Sequence, residues 1–175
     1  MKFSVHGPFD VPSSEGIIDT SPAAKKDFWN SVDDAKQGLS SACGCYIFVL
    51  KAKRGSLPWY VGRTTKRTSK GETLGAHQIG HYDIAMDKKV GVKAQLFFLA
   101  KETTAGKFAK PSKNSHRDIE FLEIFLFGIA LNRNAALSNA KDTKSLRSIC
   151  VPGVINSPQR RPYRQESKLK SALGL

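Results

Sequence analysis

Cysteine, acidic residues and long apolar runs are all scarce in this chain, and each scarcity narrows what it can be. Three cysteines, Cys43, Cys45 and Cys150, leave one over in any disulfide framework. A C-x-C pair with no His pair nearby is also a poor zinc template. Buried free thiols in a reducing compartment, and hence a cytoplasmic protein, are the expectation. The longest apolar run, 121–131, is interrupted by Glu123 and falls short of the roughly 18 residues of a membrane span. The first ten residues, MKFSVHGPFD, carry neither the apolar core nor the cleavage site of a secretory signal. Acids number 15 against 28 lysines and arginines, a net charge of +13. A field of that size attracts polyanions, and with no span or signal the reading is DNA rather than a membrane.

In 175 residues of which 40% are hydrophobic there is enough for one core and one domain. Residues 3–9 read as a strand running into a Pro/Ser/Gly loop. Phe28, Trp29, Val32, Ala35 and Leu39 have helical spacing over 25–39. The run 44–50 (GCYIFVL) is apolar on both faces, as in a central strand. A basic turn over 51–57 leads to a returning strand at 58–62, which predicts a hairpin with a long loop. After the cationic stretch 63–71, residues 72–89 read as a helix weakened by Gly75 and Gly80. A third strand follows at 93–100. Ser115-His116-Arg117-Asp118 has the form of a capping box. The helix it starts, to about Asn132, is apolar nearly all round, which predicts deep packing. The rest is basic and interrupted by Pro152, Pro158 and Pro162, so an extended arm with a short helix over 166–172 is expected. The divisions are an N-terminal extension over 1–40, a core over 41–140 and an arm over 141–175.

Glu123 is the first candidate for chemistry. It shares a helical stripe with Leu122, Leu126 and Ala130, and a carboxylate there costs several kcal/mol unless a cation or hydrogen bonds compensate. An ion pair with a Lys or Arg would do so, and so would a metal; Glu120, three residues earlier, is the rival acid. Tyr46 and Tyr60 lie on the two hairpin strands, with Gly44 two residues before the first and Gly62 two after the second. Glycine admits close approach of a ligand such as phosphate, and Arg63, Lys66, Arg67 and Lys70 follow at once. His77 and His81 are spaced i, i+4, but the residues between them, Gln78, Ile79 and Gly80, lack the glutamate of a metalloprotease motif. One histidine acting as acid, base or phosphate ligand is the better reading, and Tyr82 adds a further phenol.

Gly44-Cys45-Tyr46, then Tyr60-Val61-Gly62, then Glu123 on a packed helix with Asn139 beyond it, together resemble the GIY-YIG nuclease family over about 42–139. Cys45 and Val61 stand where the triplets usually carry isoleucine. Arg63 follows the second triplet at a usual basic position, but the family's helical arginine has no clean match, since Arg67 comes early and Lys70 is not arginine. His77 matches the family's variable His/Tyr position. The order strand-strand-helix-strand-helix read above is the one the family needs. The resemblance implies an α/β fold, a small three-stranded, mainly antiparallel sheet flanked by helices. It also implies one divalent cation, Mg2+ or Mn2+, held by Glu123, and phosphodiester hydrolysis by a tyrosine-assisted water. On that basis Tyr46, with His77, takes the water's proton, helped by Arg63 and Lys66 stabilising its phenolate. Tyr60 orients water or phosphate, and Arg63 and Arg67 stabilise developing charge.

The expected function is therefore a metal-dependent DNA endonuclease. The alternative is a nucleic-acid-binding module on the same scaffold without turnover. One cleft per chain implies a homodimer or sequential nicking for double-strand cleavage. Lys66, Lys70 and Asn139, and Arg160, Arg161 and Arg164 in the arm, are the expected nucleic-acid contacts. Deleting residues 158–175 should weaken DNA binding and flatten its salt dependence by about 0.9 in log–log slope per lost phosphate contact. A binding titration across salt concentrations checks this, an unchanged slope placing the arm away from the DNA.

Overall fold

The computed structural model of the protein describes residues 2–139, apart from 15, 54 and 90, together with Lys168. The arm residues Arg160, Arg161 and Arg164, and the short helix expected at 166–172, lie outside this description. Strands are β1 (Lys2–Asp10), β2 (Ser13–Ser14), β3 (Ile17–Ile18), β4 (Gly44–Ala52), β5 (Gly55–Thr64) and β6 (Lys93–Glu102). Helices are α1 (Pro22–Ala35), α2 (Ser69–Glu72), α3 (Ala76–Met86) and α4 (His116–Arg133), with short 3-10 turns at Leu39–Ser41 and Lys113–Ser115. The class is mixed α/β.

The main sheet has four strands, not three, in the order β1-β6-β4-β5, and all its pairings are antiparallel. The extra strand is β1, which pairs along the whole of β6 from Lys2 opposite Glu102 to Asp10 opposite Gln95. Its exposed alternating face gave no sign of a partner, so sequence pattern alone left it outside the sheet. β2 and β3 form a separate two-residue ribbon. β4 occupies an inner position and is buried on both faces over 44–50, as its unbroken apolar run requires.

The β4–β5 connection is tight rather than long. Pairing continues through Lys51 opposite Ser56 to Ala52 opposite Gly55, and Gly55 supplies the positive φ of 128° that the turn needs. The register slips between Phe48 opposite Tyr60 and Val49 opposite Pro58. That bulge absorbs Pro58, which has no N–H for a ladder.

Helix boundaries moved for identifiable reasons. Ser21 caps α1, its Oγ accepting from the Ala24 N–H at 3.2 Å, with Pro22 at the first helical position. The expected helix over 72–89 is broken at Gly75, which caps α3 with extended backbone and leaves α2 as a single turn. The expected capping box at α4 does not form. Ser115 makes no cap bond and lies 3.2 Å from Ser112 Oγ, while Asp118 is drawn instead to Lys101 on β6 at 2.8 Å.

Two apolar layers enclose the sheet. On one face Tyr46, Phe48 and Leu50 pack with Phe28, Trp29 and Val32 of α1 and with Ile79, Tyr82 and Met86 of α3. On the other, Cys45 meets Ile119, and Val61 meets Phe127, Ala130 and Leu131, all of α4. Cys43 and Cys45 are buried and free. Only one face of α4 is packed in this way. Phe121, Ile124, Phe125 and Ile129 are exposed, Phe125 by 66%, so the deep burial expected from its all-round apolar character is not found. The single sheet offers α4 one surface, and among the described residues nothing covers the other. No described helix is long and apolar enough to cross a membrane.

After α4 the chain folds back along β5, the sheet's edge strand. Asn134 Nδ2 donates to the Pro58 carbonyl at 2.7 Å, Ser138 N and Oγ to that of Trp59 at 2.8 and 2.9 Å, and Asn139 Nδ2 to that of Val61 at 2.6 Å. These bonds occupy carbonyls that an open edge would offer to another chain, and they carry Asn139 to the end of β5 where the cationic run begins. Asn134→Ala removes one donor and also the acceptor for the Ala136 N–H. It should lower unfolding free energy by about 1–3 kcal/mol, as measured by denaturant titration.

Candidate active site

Where β5 emerges between α3 and α4, a cleft of about 400 Å³ is lined by Tyr46, Tyr60, Arg63, Lys66, Arg67, His77, Glu123 and Asn139. Every candidate that sequence reading placed in the described core is present except Lys70, which sits on the exposed side of α2. Glu72, Gln78, Thr65 and Phe127 complete the lining. A larger hollow of about 630 Å³ beside the β2–β3 ribbon and the end of α3 is lined by Ile17, Asp83, Met86 and Lys89 and contains neither phenol nor imidazole.

The two tyrosines are paired by strand register. Tyr46 stands opposite Gly62, and Tyr60 lies two residues before that glycine, so both rings point to the same face and stack with centroids 5.9 Å apart. A Cβ at Gly62 would sit 2.5 Å from the Tyr46 hydroxyl oxygen and 2.7 Å from Tyr60 Cε1. At Gly44 a Cβ would overlap the Leu99 carbonyl of β6. Both glycines therefore admit protein, a phenol pair in one case and a neighbouring strand in the other. The close approach of phosphate expected there is not what they serve.

Burial dominates the phenols' electrostatics. It pushes the Tyr46 hydroxyl well above the ordinary phenol range, and the neighbouring Tyr82 and Tyr60, a hydrogen bond to Tyr60 and the Glu72 charge push the same way. Arg63 and Lys66 do not provide the counter-charge expected for a Tyr46 phenolate. Tyr60 is also raised by burial, but hydrogen bonds from Tyr46 and Gln78 act to lower it. Tyr82 is wholly buried, stacks on Phe48 at 4.1 Å and donates to the Thr73 carbonyl at 3.0 Å. It braces Tyr60 edge-on at 5.6 Å.

The opposite wall comes from α4. Glu123 is mostly buried, its side chain 16% exposed, while Glu120 is about half exposed and lies outside the cleft lining. Arg63 joins the two acids, its Nη1 2.9 Å from Glu123 Oε2 and 3.3 Å from Glu120 Oε1. The compensating ion pair foreseen for a carboxylate on that stripe is thus present. Arg67 reaches out over the rim, 4.0 Å from Glu72. His77 lies on the exposed rim with its ring edge-on to His81 at 4.8 Å. His81 is turned inward, its Nδ1 donating to the Ser138 carbonyl at 2.9 Å and its ring 5.1 Å from that of Tyr60.

Asn139 closes the cleft. It is more than nine-tenths buried, and although its Nδ2 donates to Val61, its Oδ1 has no hydrogen-bond partner. An unsatisfied buried acceptor is costly, and a hard cation or a ligand donor in the cleft would satisfy it. Among the described residues no three His, Cys, Asp or Glu side chains gather closely enough to cage a metal. Mg2+, however, is usually held by one or two carboxylates completed by water and substrate phosphate. One carboxylate, Glu123, with the Asn139 carbonyl oxygen on the same cleft fits that pattern.

Gln78 and Glu72 were not identified from sequence as part of the site. Gln78 lies between two histidines that drew attention for their spacing, and only the break at Gly75 turns it into the cleft. Compared with known proteins, the chain matches no protein-family model, no curated protein and no solved structure. Gly62→Ala should destabilise the protein by about 1–3 kcal/mol through overpacking of the phenols. Gly80→Ala, whose added carbon meets nothing within 4 Å, should be neutral or stabilising by up to about 1 kcal/mol. Thermal unfolding of the pair checks both.

Proposed function

We propose that the chain is a metal-dependent DNA endonuclease of the GIY-YIG type. The observation that carries this reading is the meeting, in one cleft, of two phenols, an imidazole, a sheltered carboxylate and three cations from residues up to 77 positions apart. The order β4-β5-α3-β6-α4 supports it, being the strand-strand-helix-strand-helix core that the resemblance calls for, with β1 as a fourth strand added at the far edge. A net charge of +13 supports DNA as the partner.

Each residue's part follows from its surroundings. A divalent cation at Glu123, Mg2+ or Mn2+, would supply a hard Lewis acid for a phosphate oxygen and the leaving oxygen. Asn139 Oδ1 would help hold it. Lys66 and Arg67 on the rim neutralise the backbone on either side of the scissile phosphate, and Arg63, anchored by Glu120 as well as Glu123, stabilises charge that develops there. Both phenols are held protonated by burial, so they serve as hydrogen-bond donors rather than as bases. Tyr60, the more accessible, orients the attacking water or the phosphate, and Tyr46 supports it from behind. The proton acceptor is then His77, an imidazole on the open rim, a group that ordinarily titrates near neutrality.

A module that binds nucleic acid without turnover is the second reading, favoured by one fact: Arg63 already compensates Glu123. Nicking of supercoiled plasmid with and without Mg2+ separates the two. Under the nuclease reading, Glu123→Gln abolishes cleavage while DNA affinity holds or rises, since a negative charge near phosphate is gone. His77→Ala slows cleavage by about 10²-fold or more, and Tyr60→Phe is more harmful than Tyr46→Phe. A wild-type protein that binds DNA and never nicks it would establish the binding module. Near-normal cutting by Glu123→Gln together with loss in Glu120→Gln would move the metal to Glu120.

A further inference from the structure

Gln78 is buried at the start of α3, and its Nε2 donates to Glu72 Oε1 at 2.9 Å. A carboxylate only accepts. The two ends of a glutamine amide, ordinarily hard to tell apart, are therefore fixed by chemistry: the NH2 end faces Glu72. The other end has its own reason to lie where it does. A Cβ at residue 75 would sit 2.8 Å from Gln78 Oε1, so the glycine that breaks α2 from α3 also makes room for that oxygen. Glu72 itself is steadied because α2 is tied to the sheet's approach segment, Ser69 N and Oγ both donating to the Ala42 carbonyl at 2.9 and 3.1 Å.

The remaining N–H of that amide bears on Tyr60. Hydrogen bonds from Gln78 and from Tyr46 both favour a charged Tyr60 oxygen, and the Tyr46–Tyr60 bond disfavours a charged Tyr46. In both bonds Tyr60 is thus the acceptor. Around the ring stand Tyr46 on β4, His81 and Tyr82 on α3, Glu72 on α2 and Glu123 on α4. Burial is the largest influence on the phenol and opposes its ionisation, as do the two carboxylates. A phenol oxygen has two acceptor sites and one hydrogen. With both acceptor sites taken by protein donors, the hydrogen is left for the cleft.

We propose that Glu72 and Gln78 are positioning residues that set the direction of the hydrogen bonds at Tyr60, so that its O–H is presented to whatever oxygen the cleft binds. The inference rests on the nuclease reading for the identity of that oxygen, a phosphate or its attacking water, but not for the direction of the bonds. Neither residue touches the reacting atoms. Glu72 acts through Gln78, and Gln78 through Tyr60.

The double exchange Glu72→Gln with Gln78→Glu tests this. It preserves a hydrogen bond between positions 72 and 78, now donated from 72, while facing Tyr60 with an acceptor in place of a donor. In protein carrying 13Cζ-labelled tyrosine, the four tyrosines give four resonances assignable by Tyr→Phe variants, and Cζ reports the hydrogen bonding of its own phenol. The expected result is an unchanged melting temperature and a displaced Tyr60 resonance at neutral pH. Plasmid cleavage should show kcat lowered by about 10²-fold, the scale of a misdirected group, with KM unchanged. An unmoved Tyr60 resonance overturns the proposal, and so does a moved resonance with unaltered kcat. If the wild-type protein itself fails to cleave, the nuclease reading falls alone, and the displaced resonance still supports the assigned bond direction.

Discussion

The packing of two phenols over a glycine is the constraint on which the site depends. β5 can bring Tyr60 beside Tyr46 only because Gly62, opposite Tyr46, has no side chain to occupy the space. With those rings stacked, the face of β4 and β5 toward α3 is filled, and Tyr82 stacks on Phe48 and meets Tyr60 edge-on. α3 is thereby held at the height that puts His77 on the rim and Gln78 inside it. The glycines of the two triplets are thus packing residues first, and the cleft is a consequence of how tightly aromatic rings can meet.

A second constraint comes from the other side of the sheet. α4 lies against β5 through Phe127, Ala130 and Leu131, which places Glu123 at the mouth of the cleft, close to a guanidinium that emerges from the same strand. A mostly buried carboxylate needs such a partner. The ion pair with Arg63 is at once the reason Glu123 is tolerated on a packed stripe and the feature that makes the site ready for an anionic ligand, because a bound phosphate can share the guanidinium and a cation can share the carboxylate. The exposed phenylalanines and isoleucines on the far side of α4 belong to a helix whose apolar character exceeds what one sheet can cover.

Much of this was legible in the residues. The unbroken apolar run of β4 could only be an inner strand, the paired triplets could only face one another on a hairpin, and a carboxylate among leucines required compensation. Those are statements about neighbours along the chain and about the cost of burial, and they need no coordinates. β1 was harder, since a strand at the edge of a sheet is half exposed and its partner, β6, lies about ninety residues further on. The extent of the β4–β5 hairpin was missed because polar residues such as Lys51 and Ser56 pair as well as apolar ones where the sheet reaches solvent.

The roles of the phenols and of Gln78 were decided by tertiary structure alone. Composition suggested that nearby cations would favour a Tyr46 phenolate, yet Arg63 is engaged by Glu123 and Glu120, and burial of the ring pushes the hydroxyl the other way. Nothing in the sequence around Gln78 marks it, because its importance lies in a carboxylate six residues earlier that a helix break turns toward it. The sequence by itself determined which chemical groups this protein has and which strand or helix carries each one, since periodicity and burial cost are local. Only the fold decided which of those groups share a cleft, which of them remain charged there, and which way each hydrogen bond runs. Those properties depend on distance and solvent access, and both are set by residues remote in the chain.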